Sequence, residues 1–309
     1  MEHKHLVWLD CDPGTDDAAA LLLIHAAPEL ELVGISTVSG NVRPEHTFRN
    51  ALRLNRLLGS AYPVYAGADR PWILPPEYGV RFHGPEGLGN TNLPLPERWE
   101  KPALPGWEAL YQAALAHGGA MELIATGPLT NVATALTLHP DLTRLLRRVV
   151  LMGGSATMGN KTPAAEFNIW ADPHAAKAVF EAGFDLTMCG LDVTNRAYLT
   201  RQELDSLGAL GTPAARFLHQ ALQTPLQASG GELVRLHDPT AVLYAARPAL
   251  FSGQRAGVRV ETRGSITRGK TVTDLWSDKK FPEQNAYVVL GVDRPRFVET
   301  VMELIGSLG

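Results

Sequence analysis

The sequence is short of cysteine, of excess positive charge and of long apolar runs, and each shortage removes a class of protein. Its two cysteines, Cys11 and Cys189, each lie inside an apolar run. They do not make a disulfide framework, and they point to a reducing, cytoplasmic setting. Lys and Arg number 28 against 32 Asp and Glu, a net charge of −4, which leaves no basic footprint for nucleic acid or an anionic membrane. No stretch reaches the roughly 18 consecutive apolar residues of a membrane helix. The apolar run within Met1–Asp10 is too short for a signal peptide and has no cleavage-site pattern after it. What is present is material for a large core: 45% hydrophobic and 19% charged residues describe a compact soluble protein.

Apolar runs of strand length alternate with longer helical segments. Leu6–Leu9 reads as a buried strand, and Asp16–Ala27 after it is apolar on nearly every face, as a helix packed between a sheet and another layer would be. Glu31–Val38 is the next strand, and Pro44 opens a helix that Gly59 closes. Met121–Thr126, Val149–Met152 and Leu186–Cys189 are further strands, each followed by a glycine-containing turn and a helical pattern. Short β-like runs, Gly257–Thr262 and Ala286–Val292, precede a last helix over Arg294–Ile305. This alternation predicts one α/β domain over residues 1–309, Rossmann-like, with a mostly parallel central sheet flanked by helices. Polar clusters fall at the strands' carboxyl ends, where such sheets open their binding crevice. The proline-rich stretch Pro71–Pro105 lacks periodicity and reads as a functional loop or lid.

The densest cluster is Asp10-Cys11-Asp12-Pro13-Gly14-Thr15-Asp16-Asp17, between the first strand and its helix. Four carboxylates this close repel one another unless a cation sits among them. Hard oxygen donors suit calcium or magnesium. Asp16 and Asp17 also read as first-turn acids that favour a helix dipole, but that leaves Asp10 and Asp12 unexplained at a strand end. An EF-hand frame fails, because Gly14 is out of register and Leu21 stands where the last ligand belongs. A haloacid-dehalogenase-like phosphatase begins Asp-x-Asp as here, yet Gly14 occupies the place of its Thr or Val.

Asp-x-Asp-Pro-Gly-x-Asp-Asp after an amino-terminal strand resembles the signature of the inosine–uridine type nucleoside hydrolases. Further blocks resemble that family in the same order: Gly40-Asn41, His83-Gly84, Thr126-Gly127-Pro128-Leu129-Thr130-Asn131, Met152-Gly153-Gly154, Glu166-Phe167-Asn168, Leu191-Asp192-Val193-Thr194 and His237-Asp238-Pro239. The resemblance implies hydrolysis of a ribonucleoside to ribose and free base, with calcium holding the water and the ribose diol. It makes Asp12, Asp17, the Thr126 carbonyl and Asp238 the calcium ligands, with Asp12 also the general base and Asp10 orienting its neighbours. It gives the ribose to Asp16, Asn41, Asn160, Glu166 and Asn168. It makes His237 the aid to the leaving base, with His83 near the pocket mouth, and it implies a homodimer or homotetramer. The same residues in a protein that had lost turnover would make a silent nucleoside-binding protein.

Two places depart from the family. Asn195 stands where many relatives carry histidine, and Arg216–Gly231, expected to cover the base, has no tyrosine. It offers Phe217, His219, Gln223 and Gln227 instead. Trp276 reads as packing in a β-rich stretch, with stacking on a base as the other use.

Overall fold

The computed structural model describes residues 4–309. Eleven strands occur among them: β1 His5–Cys11, β2 Leu30–Thr37, β3 Val64–Ala66, β4 Met121–Ala125, β5 Leu146–Met152, β6 Leu186–Cys189, β7 Tyr198–Thr200, β8 Leu233–Arg235, β9 Phe251–Val260, β10 Thr271–Asp274 and β11 Ala286–Val292. Nine form one sheet in the order β10-β9-β11-β6-β5-β4-β1-β2-β3, and β7 pairs with β8 in a separate antiparallel ribbon. From β3 across to β11 every pairing through β6 is parallel; β9 and β10 then add antiparallel strands at one edge. The expected α/β architecture with a mostly parallel sheet is what the chain forms.

The strand order determines where a ligand can enter. The chain builds outward from β1 through β2 and β3 on one side, then returns to build β4, β5 and β6 on the other. Between β1 and β4 the connections diverge, and this switch point opens a crevice at the carboxyl ends. Register makes the juxtaposition specific. Asp10 pairs opposite Ala125, and the Thr126 N–H donates to the Asp10 carbonyl at 2.8 Å. The acidic turn after β1 and the Thr126 turn after β4 therefore emerge side by side.

The helix Thr15–Ala26 is buried from Thr15 through Ile24. Being apolar all round, it cannot sit at the surface, and it packs between the sheet and the helix His237–Ala246. On the other face, helices Gly106–His117, Thr130–Leu138 and Pro173–Glu181 supply the second core. Both cysteines are buried and unpaired within these layers.

Two expectations shift at their edges. β9 starts at Phe251, six residues before the expected Gly257, because its first half alternates between exposed and half-buried positions and shows no apolar run. The Pro71–Pro105 stretch carries one helical turn, Val80–His83. It is anchored where the Trp72 N–H donates to Asp172 at 2.9 Å and Asn50 donates to the Glu86 carbonyl at 2.7 Å.

Candidate active site

The turn after β1 brings Asp10, Asp12, Asp16 and Asp17 into one buried cluster, and the first turn of helix His237–Ala246 adds Asp238. Asp16, Asp17 and Asp238 each place a carboxylate oxygen within 4.8 Å of the others. Asp12 stands beside this trio: the Asn41 N–H donates to one of its oxygens at 2.6 Å, and the other is buried without a partner. Asp16 likewise keeps a buried, unpartnered oxygen. Asp17 is fully engaged, accepting from the Gly14 N–H at 2.9 Å, Asn41 Nδ2 at 3.0 Å and Thr126 Oγ1 at 2.7 Å.

Burial dominates the electrostatics. It lifts Asp10 to about 7 and Asp16 to about 6. Asp12 and Asp238 rise well above the ordinary carboxylate range, Asp238 with further push from Asp16 and Asp17. The helix amino termini at Thr15 and His237 offer partial positive charge, worth roughly 0.3–2 kcal/mol. Two unit charges about 4–5 Å apart repel by about 3–4 kcal/mol at an effective dielectric constant near 20. The dipoles alone do not hold this cluster; a proton or a cation must. Unpartnered oxygens, converging carboxylates and a donor set made only of oxygen fit a hard divalent cation.

Space was cleared for this cluster. A Cβ on Gly40 would lie 2.0 Å from an Asp12 oxygen, and one on Gly14 would lie 2.5 Å from the His83 ring and 2.7 Å from Asn41. Neither position has room for a side chain.

A cavity of about 720 Å³ opens above the cluster, lined by Asp16, Asn41, His83, Thr126, Asn160, Glu166, Asn168, His237 and Asp238. Asp16, Asn41, Asn160, Glu166 and Asn168, expected at the ribose, and His83 and His237, expected near the base, therefore all line one cavity. Several are already committed to holding its wall. Asn168 Nδ2 donates to the Thr126 carbonyl at 2.7 Å and the Met152 carbonyl at 3.1 Å. Asn160 accepts from the Phe167 N–H at 2.9 Å. Glu166 caps the helix Phe167–Ala171 and also accepts from the Gly154 N–H at 2.9 Å; burial lifts it to about 7. His83 Nδ1 sits 3.2 Å from the Thr15 N–H, and burial lowers its pKa to about 4. His237 Nδ1 meets Thr194 Oγ1 at 2.8 Å, and burial, helped by the Arg235 charge, lowers it to about 3. Both rings are neutral at pH 7.

The stretch expected to cover the base forms a helix over residues 213–228 with Pro225 inside it, and of Arg216–Gly231 only Pro225 and Ser229 line the cavity. Phe217 is buried in the core, and His219 turns away to Asp205 at 3.1 Å with Gln223 beside it; Gln227 does not line the cavity either. Trp276 is 66% exposed and does not line the cavity, so the expected packing is not what it does. Tyr78, Val80 and Phe82 of the proline-rich loop supply the apolar wall instead.

Two residues that hold the site drew no separate assignment from the sequence. Asn131 Nδ2 donates to Asp10 at 2.7 Å and to the Thr37 carbonyl at 3.2 Å, while its Oδ1 accepts from the Ala68 N–H at 2.7 Å. It ties β1, β2 and the segment after β3 to one amide. Asp192 accepts from the Ala156 N–H and Thr157 Oγ1, each at 2.7 Å, and fixes the turn after β5. An amide or carboxylate set among apolar residues of the sequence was the available signal.

Fold and site together define an α/β hydrolytic enzyme with an oxygen-lined cation cradle at its switch point. The chain belongs to the inosine-uridine preferring nucleoside hydrolase family, whose model matches residues 7–299. It is 39% identical over 303 residues to a pyrimidine-specific ribonucleoside hydrolase RihA of a Shewanella species, covering 96% of this chain and 94% of that one. It is 41% identical over 297 residues to a non-specific ribonucleoside hydrolase RihC of Klebsiella pneumoniae, covering 96% and 97%. Among solved structures it resembles a purine-preferring ribonucleoside hydrolase of Gardnerella vaginalis, with a TM-score of 0.91, 33% identity and 98% of each chain covered.

The Asn131 junction gives a stability test. Asn131→Leu keeps the volume but leaves Asp10, the Thr37 carbonyl and the Ala68 N–H without this partner. Unsatisfied buried groups cost about 1–3 kcal/mol each, so a loss of about 3 kcal/mol is expected, lowering the melting temperature by roughly 6–12 °C. A change under about 2 °C in a thermal melt would show that the amide is not structural.

Proposed function

We propose that this chain hydrolyses the N-glycosidic bond of ribonucleosides, releasing ribose and the free nucleobase, with calcium as cofactor. One observation carries the reading: an all-oxygen cluster of buried aspartates reaches, through Asp16 and Asp238, the cavity that His237 also lines. Relatives named as ribonucleoside hydrolases support it. Asp12, Asp17, the Thr126 carbonyl and Asp238 would hold the ion, with Asp16 near enough to share in it. Calcium would supply the positive charge that offsets these carboxylates and orients water and the ribose hydroxyls.

The chain's own residues do the remaining work. Asp12 keeps one oxygen on the Asn41 N–H and the other free, which suits it to take a proton from the attacking water. Asp10, held by Ser36 and Asn131, positions the turn. Ribose hydroxyls each need a partner once water is excluded. Asp16, Asn41, Asn160, Glu166 and Asn168 offer them, the carboxylates through lone pairs that their backbone contacts leave open. His237, neutral and fixed at Nδ1 by Thr194, assists the departing base through its other nitrogen, as a hydrogen-bond donor. The two buried, unpaired cysteines support a cytoplasmic setting. The family resemblance supports a homodimer or homotetramer.

Incubation with inosine and uridine should release ribose, and a calcium chelator should stop it. Asp12→Asn should retain the fold and lose about 10²–10⁴-fold in rate. Wild-type protein that releases no ribose from either nucleoside would overturn the reading.

His237 gives a separate test. A natural base is a poor leaving group and needs help as the bond lengthens; p-nitrophenolate is already stable at neutral pH. His237→Ala should lose about 10²-fold or more on natural nucleosides and little on p-nitrophenyl riboside. The ratio between the two substrates is the readout. Equal losses on both would make His237 a packing residue.

A further inference from the structure

One wall of the cavity carries a cation that the proposed chemistry does not use. Arg235 ends β8, where pairing with Tyr198 fixes its backbone. Its neighbours Val234 and Leu236 are buried in the core, so strand alternation turns Arg235 the other way, onto the cavity wall with Asn195, Ser229 and His237. Its Nε is shielded from solvent and has no partner, and no described residue forms an ion pair or hydrogen bond with its side chain.

The other cations lining the cavity are already accounted for. Lys161 pairs with Glu77 at 2.7 Å and lies 4.6 Å from the Trp170 ring centroid. Arg81 is exposed to solvent, with its guanidinium 5.7 Å from the Phe82 ring centroid. Arg235 is different. Arg235 is half-buried, and its shielded Nε is a donor without an acceptor, which a ligand in the cavity would supply. Its surroundings say which part of the ligand. Asp238 joins the carboxylate cluster, and Arg235 lines the same cavity close enough to His237, the proposed aid to the leaving base, for its charge to act on that ring. A nucleoside with its ribose over the aspartates would present its base to Arg235.

We propose that Arg235 reads the nucleobase by donating to a carbonyl oxygen on its edge, so that the enzyme prefers oxo bases to their amino counterparts. This rests on the hydrolase reading above. Arginine has donors and no acceptor, so an exocyclic amino group at the same place meets donors with donors and leaves both unpaired. Asn195 and Ser229 can present either a donor or an acceptor and do not discriminate in this way. The contact also strengthens during reaction. As the bond between C1′ and the ring nitrogen breaks, its electron pair passes to the base and spreads onto that oxygen, facing the guanidinium. Relatives named pyrimidine-specific, non-specific and purine-preferring share the fold, so the reading residue need not be inherited from any of them.

The test is kcat/KM for uridine against cytidine and for inosine against adenosine. Wild type should favour the oxo member of each pair by about 10- to 100-fold, the range for a hydrogen bond to a charged group. Arg235→Met should bring both ratios to within about threefold, chiefly by losing the oxo substrates. Arg235→Gln keeps the polarity, adds an acceptor and should give the same collapse, which guards against a folding defect in the first variant. A wild-type ratio near one, or ratios unchanged in an active variant, would overturn the assignment and leave the hydrolase reading standing. No ribose from any of the four nucleosides with wild type would overturn both.

Discussion

The mutual repulsion of five buried aspartates is the constraint to which the rest of the site responds. Asp10, Asp12, Asp16 and Asp17 come from the end of β1 and the turn and helix that follow it, and Asp238 comes from the helix His237–Ala246, which packs against the helix Thr15–Ala26. Burial lifts the proton affinity of every one of them. Such a cluster persists only where something neutralises it, and where its shape is set before the neutralising group arrives. Hydrogen bonds from Asn41, Thr126 and Asn131 set that shape. Those donors would be poorly used if the carboxylates were protonated throughout, because each bond favours the charged form.

The fold supplies the same result from further away. The switch point puts Thr126 against the end of β1, and two helices point their amino termini at the cluster. Gly40 and Gly14 lack the Cβ atoms that would occupy the carboxylate and histidine positions. The neutral state of His83 and His237 belongs to this arrangement too, since burial rather than a carboxylate partner dominates both. A neutral His237 and the Arg235 guanidinium stand together among the residues that line the cavity.

Local chemistry made much of this legible in the sequence, and tertiary placement concealed the rest. The acidic turn could be read because four carboxylates between a buried strand and an apolar helix have no bland explanation. Glu166 and Asn168 could be read because polar groups in an apolar segment need partners. The direction in which a helix faces is harder to infer. Phe217, His219 and Gln223 looked like a cover for the base, yet the helix 213–228 turns them to the core and to Asp205. Trp276 looked like packing and is exposed. Arg235 carried a weak signal, one cation between Val234 and Leu236, whose meaning depends on the register with Tyr198.

The central claim is that a proton or a cation must occupy the cluster, and linked titration tests it most directly. Asp16 at about 6, Asp10 at about 7 and Glu166 at about 7 all lie above their unfolded values. Bound protons therefore favour the folded state. That stabilisation is complete below the ordinary carboxylate pKa near 4 and is lost as pH rises through 6 to 7. The measurement is the melting temperature of metal-free protein from pH 5.5 to pH 8, repeated with saturating calcium. Metal-free protein should lose stability across that range, and calcium should restore it most at pH 8. A melting temperature indifferent both to pH in that window and to calcium would contradict the claim.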